Sequence, residues 1–243
     1  MGGRHAIEVG PGPGGLTRAL LRSDAADVTA VEVDARAVAA LGELAGAADG
    51  RLRVIEADAL RTDLAALVPP PRRIVANLPY NIASPLLVGW LRHAACYESL
   101  TLMFQLEVAE RICAAPGSAA YGRLAVLAQW TCRVGLVLRI PPAAFVPPPK
   151  VHSAVVQLEP HAAQPGAALF AGMERLTAAA FGQRRKMLRG ALRPLFGPGG
   201  PGGPGGVEAQ LAEIGIAADR RAETLSVAEF DLLARRIARR EPA

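Results

Sequence analysis

At 243 residues, with 51% hydrophobic and 20% charged residues, the chain can bury a sizeable core, and no apolar run in it is long enough to span a membrane. The formal charge of +5 suits a polyanionic partner, and the excess sits late: residues 1–160 carry 15 Lys and Arg against 14 Asp and Glu, residues 161–243 carry 12 against 8. Cys96, Cys113 and Cys132 are an odd count without metal-ligand spacing, so they predict buried reduced thiols and no metal. With no apolar signal core after Met1, the expected location is the cytoplasm.

In chain order, residues 5–160 alternate strand-like and helix-like stretches, the pattern of a largely parallel sheet flanked by helices. Strands are predicted at His5–Val9, Val28–Val33, Leu52–Ile55, Arg73–Ala76, Leu100–Phe104, Val134–Ile140 and Ala154–Leu158. Helices are predicted from Leu16, over Ala35–Leu44 and Pro85–His93, and over 106–114 and 121–132. From about residue 165 the β pattern stops, and Leu169–Phe181, Arg184–Phe196, Val207–Ile214 and Val227–Ile237 are predicted as helices of a small all-helical domain, 161–243. The glycine- and proline-rich run 197–206 has nothing to pack and is predicted to be a loop.

Ligands collect at the carboxyl ends of parallel strands, and Gly10, Glu32, Asp58 and Asn77 all fall there. Gly10-Pro11-Gly12-Pro13-Gly14-Gly15 has the G-x-G-x-x-G spacing that lets a backbone approach a ligand. Glu32 ends the second strand, where a carboxylate accepts ribose hydroxyls, and Asp58 is placed to accept from the exocyclic amine of an adenine. These three suit either NAD or S-adenosylmethionine. The fourth strand end decides between them, because hydride transfer needs a nicotinamide pocket and a proton donor, and no well-placed His or acid supplies one.

Asn77-Leu78-Pro79-Tyr80 instead suits a flat, amino-bearing ring: an amide oxygen and a carbonyl as acceptors, a proline that cannot continue the ladder, and an aromatic face. An adenine amino nitrogen is a poor nucleophile because its lone pair is delocalised. Acceptors at Asn77 and Leu78 favour a pyramidal nitrogen whose lone pair leaves the ring plane, while Tyr80 stacks on the base. Phe145-Val146-Pro147-Pro148-Pro149-Lys150-Val151 is the second unusual stretch; its prolines make a stiff loop that fixes Phe145 beside the sheet, and Lys150 is placed to meet a phosphate.

Together Glu8-Val9-Gly10-Pro11-Gly12, Val31-Glu32-Val33-Asp34, Asp58-Ala59, Asn77-Leu78-Pro79-Tyr80-Asn81-Ile82 and Phe145–Val151 resemble the ribosomal RNA adenine N6,N6-dimethyltransferases of the bacterial KsgA (RsmA) type. Gln105–Arg111, Tyr121–Leu124, Gln183–Lys186 and Arg221–Ser226 extend the likeness over nearly the whole chain. The resemblance implies a Rossmann-like class I methyltransferase sheet over 1–160 that uses S-adenosyl-L-methionine, followed by an RNA-binding helical domain. The implied substrate is a pair of adjacent adenines in the 3′-terminal hairpin of small-subunit ribosomal RNA, in the immature subunit, and the implied state is a monomer. It places Glu8, Gly10, Gly12, Glu32, Asp58, Ala59 and Asn77 at the cofactor, Asn77, Leu78, Pro79, Tyr80 and Phe145 at the target base, and Lys150, Arg184, Arg185, Lys186 and Arg189 on the RNA. Two other readings compete: a resistance-type methyltransferase of large-subunit RNA, and a weakly catalytic ribosome-assembly factor. The second is motivated by the absence, ahead of the first strand, of the Gln-Asn-Phe-Leu-like lid that the family carries.

Overall fold

A computed structural model describes residues 2–183, 185–196 and 206–238. They form two compact units, one comprising residues up to Ala109 with Cys132–Ala162, the other Glu110–Thr131 with the described residues from Ala163 onward.

The first unit is a seven-stranded sheet of β1 (His5–Val9), β2 (Asp27–Glu32), β3 (Leu52–Glu56), β4 (Arg72–Asn77), β5 (Ser99–Gln105), β6 (Cys132–Ile140) and β7 (Ser153–Pro160), in the order β3-β2-β1-β4-β5-β7-β6. The pairs from β3 across to β5 are parallel, whereas β7 runs antiparallel to both β5 and β6. Ala6, Ile7, Glu8 and Val9 are buried in succession, as expected of a strand covered on both faces. The connections are α1 (Gly15–Arg22), α2 (Ala35–Gly46), α3 (Ala83–Leu91) and, after β5, α4 (Leu106–Ile112). Leu20 on α1 packs with Ala6, Val28, Ala30 and Leu52 in one apolar cluster. Asp34 caps α2 by accepting from the Arg36 N–H at 2.9 Å, and the Arg36 guanidinium beside it holds that carboxyl down at about 2.

The second unit is built on α5 (Arg123–Thr131), α6 (Ala167–Gly182) and α10 (Val227–Ala238), with α9 (Gly206–Glu213) preceding α10 in the chain. Phe181 stacks on Phe230 with ring centroids 5.6 Å apart and meets Tyr121 edge-on at 6.0 Å. Ser226 and Glu229 form a reciprocal capping box on α10: the Glu229 N–H donates to Ser226 Oγ at 3.2 Å, and the Ser226 N–H to Glu229 Oε2 at 2.7 Å.

Two expectations change. The single helix predicted over Arg184–Phe196 is instead two short ones, α7 (Leu188–Ala191) and α8 (Arg193–Phe196). Met187 forms an antiparallel bridge with Arg221, and the N–H groups of Leu188 and Arg189 donate to Arg220 and Ala218 at 2.8 and 3.0 Å, so the helix cannot start earlier. Pro194 then interrupts it, having no N–H to give to the Gly190 carbonyl four residues back. Of the three free cysteines only Cys132 is buried; Cys113 is half-buried, and Cys96 is exposed, since it closes a surface turn after α3. The predicted loop at 197–206 lies outside the described residues except for Gly206, which opens α9. Among the described residues no helix is long and apolar enough to cross a membrane.

Gly14 caps α1 with φ +81, and a Cβ there would sit 2.7 Å from Leu41 Cδ2 and 3.0 Å from an Arg18 guanidinium nitrogen. The left-handed backbone and the buried Leu41 both oppose a side chain. We expect Gly14→Ala to lower stability by about 1–3 kcal/mol, measured by urea unfolding.

Candidate active site

Parallel strands deliver their carboxyl ends to one edge of a sheet. Here the chain builds outward from β1 to β2 and β3, then returns to β4 on the other flank of β1. The edge between β1 and β4 is therefore the switch point, where diverging connections leave room for a ligand. Val9 pairs with Ala76, so Gly10 and Asn77 stand next to one another at that edge. Gly10 takes φ +69, and a Cβ there would lie 3.9 Å from the Asn77 carbonyl oxygen and 3.9 Å from Pro79 Cδ. The glycine turn and the Asn77–Tyr80 stretch thus face each other at close range.

Glu32 is tied into the same edge. Its Oε1 accepts from the N–H groups of Val33 at 2.8 Å and Asp34 at 3.0 Å, and its Oε2 accepts from Gly12 at 3.2 Å. A carboxylate offers about four acceptor directions. Three are filled, which makes the group rigid and leaves Oε2 one direction for a hydroxyl. A second hydroxyl would have to displace the Gly12 bond, the longest of the three. The third strand end joins through Ala57, whose N–H donates to Glu32 O at 2.8 Å. Asp58 Oδ1 accepts from Leu60 N–H at 2.9 Å, which fixes the turn through half-buried Ala59 and leaves the other oxygen of this exposed side chain for an amine.

Asn77 and Pro79 are exposed, Leu78 is buried, and the Tyr80 ring is 37% exposed with its hydroxyl 2.9 Å from Ser153 Oγ. Ser153 opens β7, and because β7 runs against β5 its start lies at the carboxyl end of β5, beside Gln105. The end of β6 lies there too, with Ile140 opposite Ser153. The connection 141–152 therefore begins and ends at the ligand edge. It carries Phe145, half-buried and anchored by its N–H on Pro142 O at 3.1 Å, and the exposed Lys150.

Glu8 lies one layer down, 1% exposed. Burial pushes its carboxyl up to about 7; the Thr17 hydroxyl tempers the shift and the Glu32 charge adds to it. Neither Glu8 Oε2 nor Thr17 Oγ makes a well-formed hydrogen bond.

In the second unit Arg185, Lys186 and Arg189 are exposed but do not share a helix face: Arg185 and Lys186 precede α7, and only Arg189 lies on it. Arg184 lies outside the described residues. The Met187–Arg221 bridge brings a further exposed cation, Arg221, beside this group.

The edge thus offers hydroxyl and amine acceptors beside a glycine turn, and next to them an amide and an aromatic ring. A sequence model of the ribosomal RNA adenine dimethylase family matches residues 3–239. This chain belongs to that family. A ribosomal RNA small subunit methyltransferase A from Gluconobacter oxydans is 61% identical over 96% of this chain and 73% of that protein. One from Dinoroseobacter shibae is 53% identical over 98% of this chain and 83% of that protein. Among solved structures, a dimethyladenosine transferase from Plasmodium falciparum superposes with a TM-score of 0.79 at 27% identity, covering 96% of this chain and 89% of that one. The 23S rRNA methyltransferase ErmE does so with a TM-score of 0.66 at 27% identity, covering 97% and 91%. The fold is accordingly the Rossmann-like one of class I S-adenosylmethionine-dependent methyltransferases, and family and fold imply use of that cofactor.

The donor set fits it. The positive-φ glycine turn admits a close approach, Glu32 and Asp58 supply acceptors, and Val33, 68% exposed between two acids, offers an apolar surface for a ring. Sequence reasoning gave no role to Val33, Ser153 or Arg221. An apolar residue interrupting an acidic strand end was a usable signal for Val33, and Arg221 opens one of the stretches that carry the resemblance; nothing local marked Ser153.

The raised Glu8 carboxyl makes a stability prediction. Its folded value of about 7 exceeds its ordinary 4.5, so the unfolded chain loses this proton first and stability falls as pH rises between those values. Glu8→Gln keeps the volume and removes the charge. It should flatten that slope and raise stability at pH 8 by up to about 3 kcal/mol, read from urea unfolding at pH 4.5 and pH 8.

Proposed function

We propose that this chain dimethylates N6 of two adjacent adenines in the 3′-terminal hairpin of small-subunit ribosomal RNA, acting on the immature subunit. The observation that carries the reading is the approach of Gly10 to the Asn77 carbonyl and Pro79 at the β1–β4 edge, in a chain of this family. S-adenosylmethionine, when bound, supplies an electrophilic methyl on a sulfonium. Gly10 and Gly12 give it backbone room, Glu32 accepts from ribose, and Asp58 accepts from its adenine amine, with Ala59 in the same turn. Glu8 backs the glycine turn from beneath, where it holds a proton near neutral pH.

The chemistry on the target side needs no strong base. The Asn77 side-chain oxygen and the Leu78 carbonyl accept from the adenine NH₂, turning its lone pair out of the ring plane. Pro79, without an N–H, presents no competing donor. Tyr80 stacks on the extruded base and Phe145 faces it from the 141–152 connection. Once alkylated the nitrogen is cationic and acidic, and its proton leaves to those acceptors or to water. In the second round one N–H remains, so only one of the two acceptors is satisfied. That makes the second transfer the more dependent on Tyr80 and Phe145 for holding the base.

Affinity for RNA comes from cations on phosphates: Lys150 on the sheet unit, and Arg185, Lys186, Arg189 and Arg221 on the helical unit, with Arg184 adjoining them in sequence. The deciding experiment is incubation with methyl-labelled S-adenosylmethionine and immature small subunits, followed by mapping of dimethyladenine. Label at the two adjacent adenines of the 3′-terminal hairpin supports the reading, and label on large-subunit RNA instead would assign the chain to the activity that ErmE's name describes.

Asn77→Ala should lower methyl transfer by about 100-fold or more while RNA affinity stays within twofold, read by filter binding beside the methylation assay. Replacing Arg185, Lys186 and Arg221 together by Ala should weaken RNA binding and reduce the slope of log K against log salt by about 2–3, leaving cofactor affinity unchanged by calorimetry.

A further inference from the structure

Tyr80 lies within the turn between β4 and α3 and is 37% exposed, yet its hydroxyl lies 2.9 Å from the oxygen of a side chain with no exposure at all, that of Ser153. Ser153 is held on both sides. It pairs with Gln105 of β5 and with Ile140 of β6, so its Cβ direction is set by two ladders of the sheet. It shares its face of β7 with Val155 and Gln157, while the fully buried apolar residues Ala154, Val156 and Leu158 face the other way. A hydroxyl buried there costs free energy unless it is paired, and the pairing shown is the one to Tyr80.

We infer that Ser153 is a positioning residue for the methyl transfer: through its hydroxyl it fixes the Tyr80 ring against which the target base stacks. This rests on the reading of Tyr80 as the stacking surface. A phenolic O–H lies in the plane of its ring, so a partner anchored at the oxygen restrains both the direction of the side chain and the plane of the ring. The backbone that carries the ring is held as well, because the Pro79 carbonyl closes the turn by accepting from the N–H groups of Ile82 and Ala83 at 3.1 Å each. A base laid on a ring held at both ends keeps its amine within attack distance; on a ring free to turn, it spends only part of its time there.

The pair is asymmetric, which makes a positioning role separable from a structural one. Removing the serine hydroxyl leaves the Tyr80 oxygen to water, at little cost in stability. Removing the tyrosine hydroxyl strands a buried serine oxygen, at a larger one.

The test compares wild type, Ser153→Ala, Tyr80→Phe and the double variant in single-turnover methylation, with thermal melting of each. A 2-aminopurine in the target position reports stacking by its quenched fluorescence. We expect Ser153→Ala to melt close to wild type, to lose about threefold to tenfold in the rate of transfer with RNA KM little changed, and to quench less. Tyr80→Phe should lose a similar factor, and the double variant should be no slower than the slower single variant, because both substitutions break one bond. A Ser153→Ala enzyme with wild-type rate and quenching, or rate losses that multiply in the double variant, would overturn the inference. An inactive wild type would instead remove the functional reading on which it rests.

Discussion

The parallel ladder between β1 and β4, in which Val9 stands beside Ala76, is the constraint on which the rest of the site depends. Because the chain leaves β1 on one flank and returns on the other, the loops after the two strands diverge, and the edge between them stays open to a ligand. A glycine is required on one side of that opening, since Gly10 combines a positive φ with van der Waals proximity to the Asn77 carbonyl and Pro79. The antiparallel pairing of β7 with β5 adds the remaining part. It turns the chain around so that the proline-rich connection, although more than sixty residues beyond Asn77 in sequence, starts and finishes at the same edge.

Three carboxylates near this edge show how surroundings divide one chemistry into different roles. Glu32 is saturated by backbone N–H groups on Oε1 and joined through Oε2 to the glycine turn, so it is a rigid acceptor with one direction left. Asp58 spends one oxygen on its own turn and keeps the other in the open. Glu8, on the strand that holds the turn, is buried without a well-formed partner and keeps its proton to near neutrality. Its burial is a cost in stability borne beneath the candidate site.

The helical unit reaches its cationic surface by a different route from the one a helix would provide. Had 184–196 been continuous helix, its basic residues would have been spaced by the 3.6-residue period. The Met187–Arg221 bridge and Pro194 break that period, and the result is a turn of cations joined by Arg221 from a segment more than thirty residues later. A turn can present neighbouring side chains to successive phosphates in a way that adjacent positions on a helix cannot.

What the sequence determined by itself was local in origin. Alternating apolar runs and glycine turns placed all seven strands within a residue or two, because strand burial writes itself into consecutive side chains; the residue types at the strand ends, with Asn77-Leu78-Pro79-Tyr80 and the proline run after Phe145, named the candidate site. Tertiary structure alone decided the rest. Strand order set Gly10 against Asn77, antiparallel pairing set Ser153 under Tyr80, and a bridge set Arg221 beside Lys186. Each of these joins residues far apart in the chain, and no periodicity or propensity encodes a contact whose energy arises only when distant segments are brought together.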